Sequence, residues 1–150
     1  MSDDWLNELR QLHEEDKIRH QAAVEPLDLS LLAAQRNQQA ADLLRQVDAH
    51  NLLRQVQKAL LGGKGTIEIF KQTKSYDGAI SLIWQGSFST ARKPNRKEAE
   101  AYDYILIGAR QDQLYVNSQE IEPATSAALK AALLKAAKNP GHTNQAIQEL

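Results

Sequence analysis

Leu61-Gly62-Gly63-Lys64-Gly65-Thr66-Ile67-Glu68-Ile69-Phe70 is the stretch on which the reading of this chain turns. Before it, leucine dominates: thirteen of the twenty leucines precede Gly62. After it, β-branched residues take over, and eight of the thirteen valines and isoleucines fall between Ile67 and Ile121. Leucine costs little rotamer freedom in a helix, whereas valine and isoleucine fit the pleated surface of a strand. Gly62-Gly63 supplies a left-handed helix stop, and Thr66 to Phe70 begins to alternate. The chain therefore reads as helical first and stranded later, an α+β protein.

Upstream of the switch, a first helix is expected from Ser2, a good N-cap with Asp3 and Asp4 against the positive end of the dipole, to Glu25 before Pro26. Asp28 or Ser30 is then expected to cap a second helix that continues to Leu61. Residues 1–61 thus form an N-terminal helical hairpin or arm. Downstream, four strands are expected at Thr66–Gln72, Ala79–Phe88, Tyr102–Arg110 and Gln113–Ile121, joined as an antiparallel meander. Asp77-Gly78 marks the first join and Gln111-Asp112 the third. Asn95 and Glu98 form a capping-box-like pair in the longer middle join. After Pro123, Thr125 caps a C-terminal helix that covers one sheet face and ends at Asn139-Pro140-Gly141. The sheet and this helix span residues 62–139, and residues 140–150 are expected to be a short, loose tail.

Inside the second helix lies a tandem duplication. Asp42-Leu43-Leu44-Arg45-Gln46-Val47-Asp48-Ala49-His50 is followed at once by Asn51-Leu52-Leu53-Arg54-Gln55-Val56-Gln57-Lys58-Ala59. At about 100° per residue, nine steps leave the two apolar stripes about 180° apart on a continuous helix. Leu43, Leu44 and Val47 would face one way, and Leu52, Leu53 and Val56 the other. No glycine or proline enforces a break. A straight helix is therefore expected, with one stripe on the sheet and the other against the opening helix or a second chain. The alternative is a break near His50-Asn51, with asparagine as the new N-cap.

The opening helix carries a third stripe, Trp5, Leu6, Leu9 and Leu12, continued at helical spacing by His13, Asp16 and His20. Polar residues on such a seam fix register and partner number between paired helices. Trp5, Leu9, Leu12, His13, Asp16 and His20, with the two stripes of the duplication, are the candidate interaction residues. The expected function is non-enzymatic, an assembly or adaptor module that pairs with another copy or another protein through its N-terminal helices.

Other chemistry is weaker. Eighteen basic and nineteen acidic residues leave a net charge of −1, so no global field attracts nucleic acid or an anionic membrane. The exception is the basic loop 91–97, where Arg92, Lys93, Arg96 and Lys97 are an alternative anion or nucleic-acid site. A second alternative is a small-ligand pocket between sheet and helices near Trp84 and Tyr104. There is no cysteine for a disulfide, thiolate metal site or nucleophile. His13 and His20 stand about 10.5 Å apart along a helix, too far for one ion held by that helix alone. Gly62-Gly63-Lys64-Gly65-Thr66 follows a helix and precedes a strand, the reverse of a phosphate-binding loop. No Gly-x-Ser-x-Gly or His-Glu-x-x-His occurs. No cofactor is expected. The N-terminal residues lack a secretory pattern and no stretch reaches the length of a membrane span, so a cytoplasmic protein is expected.

Overall fold

The computed structural model describes residues 5–14, 26–94 and 100–150. The chain forms two compact units, residues 1–35 and 36–150. In the first, residues 5–14 form helix α1. Helix α2, Pro26–Gln46, contains the boundary between the units. It begins at Pro26 itself, not after a cap at Asp28 or Ser30: proline at the first helical position has a preset φ and lacks only an amide that would be unpaired there.

Within residues 36–150 the expected straight helix is overturned. α2 ends at Gln46 and a new helix, α3, runs Ala49–Leu61. Asp48 at the elbow is left-handed, with φ 60° and ψ 38°. Aspartate is among the few residues that visit this region routinely. Its carboxylate accepts from the Asn51 side chain at 3.1 Å, so Asn51 braces the elbow instead of capping the second helix. The chain turns between the two copies of the duplication, and the turn cancels their angular offset. Val47, Leu52 and Leu53 are buried in one cluster, with Leu43, Leu44, Val56 and Leu60 packed against it. Burial of both stripes in a single core offsets the cost of a broken helix, since each large aliphatic side chain contributes about 1.5–3 kcal/mol on leaving water.

The sheet is antiparallel, as expected, but larger. β1 (Thr66–Phe70), β2 (Gly78–Trp84), β3 (Tyr102–Arg110), β4 (Gln113–Val116) and β5 (Gln119–Ile121) follow one another in space as in sequence. β6 (Gly141–Thr143) pairs with β3. The single strand expected over Gln113–Ile121 is a hairpin, because Asn117 and Ser118 both take positive φ, the requirement of a two-residue turn matched to strand twist. Asn117 then serves the ladder itself: its amide donates to Leu106 O, and its Oδ1 accepts from Leu106 N. β2 stops at Trp84, four residues before Phe88, which is exposed. Gly78 lies inside β2, not in a turn, and faces α2 so closely that an added Cβ would sit 2.9 Å from the Ala40 Cβ.

Helix α4 (Ser126–Lys138) starts where Thr125 caps it, its hydroxyl accepting from Ala128 N. Ile80, Leu82, Trp84, Ile105 and Ile107 meet α3 and α4 on one face of the sheet. The other face carries Tyr76, Ile83 and Leu106 under Ile147. The C-terminal residues expected to be loose are instead strapped down. Beyond β6, Lys74 N donates to Gln148 O, Ser75 Oγ to Leu150 O and Tyr102 Oη to Gln145 O. A short 3₁₀ turn, Ile147–Glu149, seats Ile147 in this second cluster. No described helix is long and apolar enough to cross a membrane.

Candidate interaction site

The three apolar stripes end in different places. Those of the duplication belong to the core of residues 36–150, so Leu43, Leu44, Val47 and Leu53 are sheltered within the chain, while Leu52 and Val56 pack on that core and also edge a surface groove; the elbow at Asp48 supplies the shelter that a straight rod would have lacked. The stripe of α1 behaves in the opposite way. Trp5 is 62% exposed, and Leu6, Leu9 and Leu12 are exposed too. His13 is exposed beside them, while Asp16 and His20 lie outside the described residues. Leu31 and Leu32, early in α2, are likewise exposed.

A second apolar surface was not singled out by the sequence reading. α3 and α4 leave a groove of about 340 Å³ between them, with Leu52, Val56, Leu60, Leu133 and Leu134 in its walls. Leu134 is 61% exposed. The signal was present in the adjacent pair Leu133-Leu134: one step along a helix rotates a side chain by about 100°, so only one of the two can point into the sheet. Leu133 does, and Leu134 is left on the groove.

Electrostatics sets this groove apart. α3 and α4 contain Arg54, Lys58, Lys130, Lys135 and Lys138 and no carboxylate. All five are exposed, and none has an ion-pair partner among the described residues. Lys130 lines the groove, Lys58 stands three positions from the lining residue Gln55, and Lys138 four from Leu134. These spacings keep each cation on its neighbour's side of the helix. Positive charge on an apolar floor favours an amphipathic, acidic helix over a neutral one.

The remaining candidates are thinner. In the basic loop Arg92 pairs with Glu100 at 3.6 Å, and its backbone bridges to Gln85. Lys93 is exposed, and Arg96, Lys97 and the Asn95/Glu98 pair lie outside the described residues. Trp84 is fully buried in the core between sheet and helices. Tyr104 instead borders a crevice of about 560 Å³ between the β4–β5 hairpin, α4 and Gly141. Its ring lies flush on Gly141, where an added Cβ would fall 2.3 Å from the ring. Burial, and secondarily the neighbouring Tyr76, push the Tyr104 hydroxyl above the ordinary tyrosine range. His142 Nδ1 and Asp103 Oδ1 are 2.6 Å apart on the paired strands β6 and β3. Among the described residues no group of three or more His, Asp or Glu is placed to hold a metal ion.

Comparison of the chain with protein-family models, with curated proteins and with solved structures finds no match.

Proposed function

We propose that this protein is a non-enzymatic assembly or adaptor module that pairs through its N-terminal region. The observation that carries this reading is the exposed stripe Trp5, Leu6, Leu9 and Leu12 on α1. Residues 36–150 bury both stripes of the duplication in or against one core, whereas α1 leaves a tryptophan and three leucines of a single stripe exposed. Exposed apolar residues in a contiguous row, one of them tryptophan, are the composition of an interface centre. The reading no longer depends on the duplication, whose two stripes pack in or against one core.

Light scattering at high micromolar concentration tests it. The full chain is expected to exceed the mass of one chain, and the triple variant Trp5→Ala, Leu9→Ala, Leu12→Ala to fall back to it. A single-chain mass for the unaltered protein would defeat self-pairing.

A second reading, small-ligand binding, is favoured by the crevice beside Tyr104, whose volume lies in the range of ligand sites. A compound that raised the melting temperature of the unaltered chain but not of Lys135→Leu would support it.

A further inference from the structure

We infer that the groove between α3 and α4 is the receptor for α1 of a second copy of this chain, so that two copies exchange N-terminal helices reciprocally. The inference rests on the pairing proposed above and assigns the surface that receives the helix. Three independent features match.

The first is charge. Residues 1–16 contain six carboxylates and one arginine. The two helices that frame the groove contain five cations and no carboxylate. An acidic segment opposite an unpaired basic surface gains attraction and also discourages the competing arrangement of arm against arm, which would set six negative charges against six.

The second is side-chain pattern. Trp5, Leu9 and Leu12 recur at i, i+4 and i+7, the anchor spacing with which an amphipathic helix lies in an apolar groove. The groove offers Leu52, Val56, Leu60, Leu133 and Leu134 to receive them, and Leu134 is uncovered as the free arm is uncovered. Glu8 lies one turn from both Trp5 and Leu12, at the flank of the stripe, where a rim lysine such as Lys130 would meet it.

The third is length. α1 covers ten residues, and α3 and α4 thirteen each. At 1.5 Å per residue these are rods of about 15 and 20 Å, so the floor is long enough for the whole stripe. A reciprocal exchange places the same patch on both copies in the same role, which closes the assembly at two.

Sedimentation equilibrium on the full-length chain and its variants tests the assignment. The unaltered chain is expected at twice the chain mass, with association weakened by salt. Leu134→Glu, at an exposed position, is expected to weaken self-association by about tenfold or more, and Trp5→Ala with Leu9→Ala to do the same. Lys130→Glu, also exposed, is a second groove variant, and far-UV circular dichroism verifies that each variant is folded. Mixing Leu134→Glu, which keeps its arm, with the arm variant, which keeps its groove, is expected to restore a mixed dimer through one intact contact. If both groove variants leave the dimer intact while the arm variant dissolves it, the receptor lies elsewhere and this inference falls, but pairing through the N-terminal region stands. If the arm variant stays dimeric, or the unaltered chain is a monomer, both fall.

Discussion

α1 and the elbow between α2 and α3 are built from the same materials, leucine at helical spacing among glutamine, arginine and acid, yet one stripe is open to water and the other is not. Trp5, Leu9 and Leu12 are exposed, whereas Val47, Leu52 and Leu53 are buried. The difference lies in neighbours. The elbow has a sheet to fall on, because Ile80, Leu82, Ile105 and Ile107 present an apolar face that α3 and α4 cover together. α1 has no comparable cover among the described residues of its own unit. An amphipathic pattern thus states that a face needs burial but not which partner provides it.

The sharpest way to break this comparison is to truncate one leucine from each stripe. Leu53→Ala, at a side chain with no exposed surface, is expected to cost about 2–5 kcal/mol, the transfer loss plus the cavity left behind. Leu12→Ala should stay within about 0.5 kcal/mol when unfolding is measured at a concentration low enough to keep chains apart. Urea titration followed by circular dichroism reads both, and equal costs would mean that the α1 stripe is covered within the single chain.

The elbow offers a smaller test. Asp48→Ala removes a residue that tolerates the left-handed region and the carboxylate that holds Asn51, so a loss of about 1 kcal/mol is expected. Asp48→Gly should lose less, because glycine adopts this conformation without a Cβ clash. If alanine proved neutral, the two stripes would not depend on the turn for their common burial.

The smallest effect concerns pH. The Tyr104 hydroxyl titrates above its unfolded value because burial disfavours the phenolate. Its contribution to stability is therefore complete below the unfolded value of about 10, and is lost as pH rises through the folded value. Tyr104→Phe should flatten that alkaline decline in melting temperature while leaving the neutral-pH plateau nearly unchanged. An unaltered alkaline limb would assign the decline to other groups.

Several parts of the fold were legible locally because a single residue type forces them. Thr125 is an N-cap followed by a leucine and alanine helix, and it caps. Gly62 ends a helix in the left-handed region, and does so with φ 61°. Alternating β-branched residues placed β1 and β3. The misread elements share another cause, in that a long-range contact overrode a local signal. Gln113–Ile121 alternates well enough for one strand, but Asn117 and Ser118 accept positive φ when Leu106 of β3 supplies partners for the Asn117 backbone and side chain. The C-terminal residues look polar and loose until β3 offers an unpaired edge to β6 and the sheet's second face offers a seat to Ile147. The stripe on α1 was legible from Trp5 to His13, the part that lies among the described residues. The groove was not, because it exists only where two helices separated by 64 residues of sequence lie side by side.

By itself the amino-acid order determined the α+β class, the antiparallel character of the sheet, the glycine stop of α3, the threonine cap of α4, and the presence of three greasy faces on the N-terminal helices. These follow from side-chain shape and from the period of the backbone, which act within a few residues. Only the folded chain decided that the duplicated pair of faces merges at Asp48 on one core while that of α1 remains uncovered. Rotation about one left-handed residue moves everything beyond it, and its direction is chosen by the surface waiting to be covered, which distant strands must first assemble.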